Sequence, residues 1–239
     1  MAPLLEIKNI ETYYDLIYAI RGVSLAIEER SVTAILGNNG AGKSTILKTL
    51  MGMLDDQPDK GSIEFMGQRI DGMDTEDIVR LGIGYVPEGR EIFEELTVRE
   101  NLLMGAYLRK DRSAIKQDIE RVFSYFPILR DRTNQWAGTL SGGEQQMLTI
   151  ARTLMGNPWL LLLDEPSEGL APVIVEQMAH TIQDLKKEGL TILISEQNLH
   201  FADLVADRAF IVEKGETRYE GTMVELESNE EVKDTYLAV

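Results

Sequence analysis

Apolar positions along this chain follow two different rhythms. Val32-Thr33-Ala34-Ile35-Leu36, Trp159-Leu160-Leu161-Leu162-Leu163 and Thr191-Ile192-Leu193-Ile194-Ser195 are nearly continuous apolar runs, the pattern of strands covered on both faces of a parallel sheet. Leu5 to Ile10 and Ala19 to Ile27 alternate apolar and polar residues and predict half-buried strands, separated from the first run by a turn at Glu28 to Ser31. Ile83 to Pro87 predicts a further strand, and Ser62 to Ile70 and Arg208 to Tyr219 predict hairpins, the second turning at Lys214-Gly215-Glu216. Helices are predicted from Lys43 to about Leu54, Thr75 to Leu81, Val98 to Leu108, Ala114 to Phe126, Ser141 to about Gly156, Pro172 to Lys187 and Leu199 to Ala206. Pro127 is expected to stop the fourth of these, and the acidic tail from Glu225 to Val239 is expected to form one last helix. Strands and helices alternate outside a helical stretch at about 91–158, so the class is α/β with a mostly parallel sheet flanked by helices.

Composition narrows what such a chain does. A chain of 239 residues with 44% hydrophobic content supports one large domain or two small ones. The absence of Cys excludes disulfides, a thiol nucleophile and a Cys-ligated metal, and suits a reducing cytoplasm. The first residues carry no signal-peptide pattern, and no stretch reaches membrane-span length, so another chain is expected to supply any membrane anchor. A net charge of −16 disfavours a broad nucleic-acid footprint and adsorption to anionic lipid.

Candidate chemistry sits at the ends of the apolar runs. Gly37-Asn38-Asn39-Gly40-Ala41-Gly42-Lys43-Ser44-Thr45 fits the phosphate-binding pattern G-x-x-x-x-G-K-[ST], between a predicted strand and a predicted helix. Glycines let backbone N–H groups close around oxygens, and the helix start adds unpaired donors and a positive dipole end. Lys43 is expected on the β- and γ-phosphates and Ser44 on Mg²⁺. Asp164-Glu165 places two carboxylates at the C-terminal end of a buried strand, where Asp164 is placed to hold Mg²⁺ through water and Glu165 to activate a water. Ser141-Gly142-Gly143-Glu144 reads as a capping box and offers a second helix start for an anion. On capping grounds alone it reads first as a well-capped structural helix, and Tyr13 and Tyr14 read as strand-end aromatics. His180 and His200 show no ligand spacing and read as surface or packing residues.

Taken together, the phosphate loop, then Leu140-Ser141-Gly142-Gly143-Glu144-Gln145-Gln146, then a Leu-rich strand ending in Asp164-Glu165-Pro166, resemble the ATP-binding subunits of ABC transporters over essentially the whole chain. The resemblance implies a nucleotide-triphosphatase core with an N-terminal antiparallel β subdomain and a helical subdomain. Residues 1–239 would form one ATP-binding domain, with about 1–90 and 158–239 as core and about 91–157 as the helical part. It implies ATP and Mg²⁺ as ligands, Tyr14 stacked on adenine, and Ser141, Gly142 and Gly143 on ATP held by a partner's phosphate loop. Asp164 would support Mg²⁺, Glu165 would be the general base, and Glu91 to Gly105 would dock the membrane subunit. The implied partners are a sister ATP-binding subunit (as heterodimer or homodimer), two integral membrane permease subunits and, indirectly, a substrate-binding protein. No nucleic acid is implied, and the place of work is the cytoplasmic face of the cell membrane.

Three positions depart from the family pattern. Glu88 stands where the family usually has Gln sensing Mg²⁺ and water, Gln197 where it has His on the γ-phosphate, and Ala171 where it has Asp. With these, Val86-Pro87-Glu88-Gly89-Arg90, Gly169-Leu170-Ala171-Pro172 and Ser195-Glu196-Gln197-Asn198 are similar to the second ATPase of branched-chain amino acid uptake systems, a pattern shared by urea and amide importers. Gln197 donates a hydrogen bond but carries no charge. The expectation is a site weakened unless a partner or Glu88 compensates, and the alternative is an ATP-gated binding module with little hydrolysis.

Overall fold

The computed structural model describes residues 2–14 and 17–237. In chain order the strands are β1 (Leu5–Tyr14), β2 (Ile17–Ile27), β3 (Val32–Leu36), β4 (Lys60–Phe65), β5 (Gln68–Arg69), β6 (Ile83–Val86), β7 (Leu160–Asp164), β8 (Thr191–Glu196), β9 (Arg208–Glu213) and β10 (Glu216–Thr222). The helices are α1 (Lys43–Leu50), α2 (Thr75–Arg80), α3 (Val98–Gly105), α4 (Arg112–Tyr125), α5 (Pro127–Asp131), α6 (Gly142–Leu154), α7 (Pro172–Lys187), α8 (Leu199–Val205), α9 (Met223–Glu227) and α10 (Glu230–Tyr236).

Two sheets organise these elements. β2-β1-β4-β5 is antiparallel, and β10-β9-β3-β8-β7-β6 is parallel except where β10 runs against β9. The expected α/β class with a mostly parallel sheet is what forms. Period-two side-chain alternation explains why the apolar runs are continuous. Val32, Ala34, Leu36, Leu161, Leu163, Ile192 and Ile194 face a core shared with the helices. Ile35, Leu160, Leu162 and Leu193 face a second core shared with the antiparallel sheet. Both faces of the central strands are therefore dry, and their C-terminal ends open onto loops.

The tip of the β9–β10 hairpin ties the two sheets to the loop before α1. The Arg21 N–H donates to the Gly215 carbonyl at 2.8 Å, and the Gly215 N–H donates to the Ala41 carbonyl at 2.8 Å.

Of the boundaries that differ from the sequence expectation, three have a plain local reason. The first helix stops at Leu50 and not Leu54, because Gly52 turns left-handed (φ 63°). The Gly52 N–H donates to Thr49 and the Met53 N–H to Lys48, which closes the orphan carbonyls in a Schellman arrangement. Pro127 ends α4 as expected but also opens α5, where its missing N–H costs nothing in the first turn. The acidic tail is two short helices and not one. Thr222 and Glu225 form a capping box that starts α9, and Asn229 Oδ1 accepts the Val232 N–H at 3.2 Å to start α10. The last two residues of the expected tail helix, Ala238 and Val239, lie outside the described residues.

Helix α3 packs on α6 at a point of very close approach. A Cβ built on Gly105 would stand 1.8 Å from the Arg152 carbonyl oxygen. Gly105→Ala must therefore push α3 away from α6. The expected cost is about 1–3 kcal/mol, the range for overpacking. A thermal melt is expected to fall by roughly 2–4 °C per kcal/mol lost at this chain length. An unchanged Tm would show that the helices do not approach so closely.

Candidate functional site

Because β3, β7 and β8 are parallel neighbours, the loops that leave their C-terminal ends converge. The loop after β3 is Gly37 to Gly42. It turns into α1 through Gly42, whose φ of 109° is open only to glycine and where a Cβ would meet Ile20 at 2.8 Å. These constraints, and not helix propensity, fix where the phosphate loop bends.

Lys43 lies buried at the start of α1, and Glu165 follows β7. Lys43 Nζ donates to the Gly37 carbonyl at 2.9 Å and the Asn38 carbonyl at 3.3 Å. It also pairs with Glu165 Oε1 at 2.9 Å, with the two side chains only 3% and 9% exposed. In so shielded a place the attraction is much stronger than at a surface. Glu165 itself holds a left-handed backbone (φ 45°), an uncommon state for a residue with a Cβ, which its N–H bond to the Ser195 carbonyl at 3.0 Å helps fix.

Asp164 is the last residue of β7 and is buried. Ser44 Oγ donates to its Oδ1 at 2.9 Å and the Tyr85 hydroxyl to its Oδ2 at 3.0 Å, while Ser195 Oγ also donates to Oδ1. Burial and then the negative Asp164 push the Tyr85 phenol far above its ordinary value, so it stays a donor. Among the described residues, no three His, Cys, Asp or Glu groups cluster as a metal cage. The donor set of Ser44 and Asp164 is hard oxygen, which fits a Mg²⁺ completed by phosphate oxygens and water.

A cleft of about 550 Å³ opens above this loop. Asn39, Gly40, Gly42, Lys43, Ser44 and Thr45 line it with Glu88, Glu165 and Glu168. Burial, then the charges of Glu168 and Glu165, push the Glu88 carboxyl above its ordinary range. Ile17, Tyr18 and Arg21 form another part of the wall.

Several expected residues sit elsewhere. Tyr14, 39% exposed at the end of β1, does not line the cleft. Tyr18 does; its ring stacks on Tyr13 at 4.6 Å and 8°. The signal for Tyr18 was the hairpin register, which pairs Tyr13 with Tyr18. Gln197 is exposed just past β8 and does not line the cleft either. Ser141, Gly142 and Gly143 start α6, with the expected capping box formed: the Ser141 N–H donates to Glu144 and the Glu144 N–H to Ser141 Oγ. They too lie outside this chain's own cleft. Ala171 occupies the N-cap of α7 without a side-chain cap bond, where the family's Asp would offer one.

Two residues were not singled out by the sequence. Arg90 reaches the carbonyls of Glu168 and Gly169 at 3.4 and 3.3 Å and lies beside Gly142. Glu196 is a buried carboxylate at the end of β8; burial pushes its carboxyl up, against the pull of N–H groups that donate to it.

Comparison with known proteins agrees with this geometry. A family model described as "ABC transporter" matches residues 20–168. The chain is 44% identical to the high-affinity branched-chain amino acid transport ATP-binding protein BraG of Pseudomonas aeruginosa, over 98% of this chain and 99% of that one. It is 35% identical to the lipopolysaccharide export system ATP-binding protein LptB of Escherichia coli, over 96% and 95% of the two chains. Among solved structures, the ADP conformation of MJ1267, an ATP-binding cassette of an ABC transporter, superposes with a TM-score of 0.88 at 27% identity, covering 98% of each chain. The chain belongs to the ABC transporter family, as an ATP-hydrolysing subunit.

The shared hydrogen bonds of Asp164 make a direct test possible. Tyr85→Phe keeps the ring and removes one donor to a buried carboxylate. It is expected to lower unfolding stability in urea by about 1–3 kcal/mol. An unchanged midpoint would mean that Tyr85 does not hold Asp164.

Proposed function

We propose that this chain hydrolyses Mg-ATP at a subunit interface and so drives a membrane importer for branched-chain amino acids. The observation that carries the reading is the convergence of Lys43, the Ser44–Asp164 pair and Glu165 in one cleft. The choice of solute rests on the higher identity to BraG than to LptB. Residues 1–239 act as one ATP-binding domain, with the stretch at about 91–157 as its helical part.

In this reading the N–H groups of Gly37 to Thr45 wrap the phosphates, and Lys43 exchanges Glu165 for the β- and γ-oxygens. Mg²⁺, when bound at Ser44 and Asp164, neutralises charge on the phosphates. Glu165, released from Lys43, orients a water and takes its proton. Glu88 lies beside Glu165 and Glu168 in the same wall and tunes that proton transfer. Ser141, Gly142 and Gly143 lie outside this chain's cleft because their ligand is the ATP of a second ATP-binding subunit. Tyr14 or its neighbour Tyr18 offers an aromatic face to the base. Two permease subunits anchor the pair at the cytoplasmic face of the membrane, where no helix among the described residues is long and apolar enough to cross by itself.

Mg-ATP turnover of the purified chain beside Glu165→Gln, with native mass in ATP, tests the reading. Loss of the base is expected to cut kcat by roughly 10²–10⁴-fold. The variant should accumulate as an ATP-bound dimer. If wild type binds ATP and neither protein turns over, even with a sister ATPase added, Gln197 has made this a nucleotide-gated module. Leucine uptake in membrane vesicles bearing the permeases, beside urea as competitor, tests the solute.

A further inference from the structure

Glu196 joins loops that have different tasks. It is the last residue of β8 and only 2% exposed. Its Oε1 accepts the Ser167 N–H at 3.0 Å, two residues beyond Glu165. Its Oε2 accepts the N–H groups of Gln197 at 3.2 Å and Asn198 at 3.1 Å. Its backbone carbonyl accepts the N–H of Gly37, the first residue of the phosphate loop, at 3.3 Å.

A carboxylate buried this deeply is unfavourable unless charged hydrogen bonds compensate it. Three side-chain acceptances do so, and they come from two separate loops. A capping role for α8 does not explain them, because Asn198 Oδ1 already caps that helix through the Phe201 N–H at 3.2 Å. The apolar neighbours Ile192, Leu193 and Ile194 show what a purely packing strand residue looks like here. An apolar residue would fill the volume of Glu196 without linking anything.

We infer that Glu196 is a positioning residue that fastens the loop carrying Glu165 to the loop carrying Gln197, so that Glu165 is held against a second loop and the two move as one body. The inference rests on the proposed ATPase reading. Glu196 does not line the cleft and its side chain bonds none of the phosphate-loop side chains, so it acts on turnover and not on ATP binding.

Glu196→Gln tests this in the full chain. The amide keeps the shape and one acceptor, but its NH₂ faces an N–H that has lost its partner. Hydrogen exchange is expected to speed up about tenfold at residues 166–170, or at 197–200, or at both, with residues 37–45 unchanged. Turnover is expected to fall about tenfold or more while KM for ATP stays within about threefold. Should this variant lack a cooperative melt, Glu196→Asp takes its place, since the shorter arm keeps the charge and reaches one loop only. Unchanged exchange in both loops overturns the inference, as does normal kcat, or kcat and KM worsening together with global loss of protection. If wild type does not turn over even with a sister ATPase added, the ATPase reading fails, and exchange at the two loops alone decides whether Glu196 fastens them.

Discussion

The carboxylate of Asp164 is the point on which the site depends. It ends the central strand β7 and takes hydroxyl donors from three other elements: Ser44 of α1, Tyr85 of β6 and Ser195 of β8. Parallel strand order brings these groups together; nothing in the loops has to search for them. A buried charge held this way is rigid, because any departure leaves donors and acceptor unpaired. Glu165 is the next residue, and its left-handed backbone is fixed by Ser195 from the same neighbouring strand. The loop from Gly37 to Gly42, the Ser44–Asp164 pair and Glu165 thus share a single reference frame.

Within that frame the charges are self-compensating. Lys43 meets Glu165 and two loop carbonyls, so its charge is compensated in a shielded place. In the proposed reading a triphosphate replaces Glu165 as the partner of Lys43, which couples its binding to release of Glu165. Glu88 and Glu168 add negative charge beside Glu165, and the neighbours of Glu88 raise its affinity for a proton. A cation or a partner's positive groups would relieve that crowding.

How far the sequence disclosed this follows from which forces were local. Val32–Leu36 and Leu160–Asp164 were legible because a strand dry on both faces has no other way to be written. The phosphate loop and the Ser141–Glu144 box were legible because each needs particular residues at fixed spacing. The end of α1 is written in Gly52, although apolar spacing runs on to Leu54. Asn229, a good N-cap, likewise marked the break in the acidic tail that charge alone concealed. Tyr18 and Glu196 were a different case. Tyr18 reaches the cleft through a hairpin register, and Glu196 through contacts with Ser167 and Gly37, far away in the chain. For Glu196 no window of neighbouring residues contains that information.

The sheet order also has a consequence for how the chain is made. Strand β3, which leads into the phosphate loop, lies between β8 and β9. Its first partner begins at Thr191, about 155 residues after β3 is complete. At ribosomal speeds of roughly 5–20 residues per second, Val32–Leu36 waits on the order of 10–30 s without a neighbour. For that interval an apolar strand has two open edges, which favours pairing with the wrong chain. The antiparallel strands β1, β2 and β4, complete by Phe65, are the only early-made sheet able to shelter one face of it among the described residues. Burden on chaperones, and not only the stability of the finished fold, should then respond to substitutions in this first sheet.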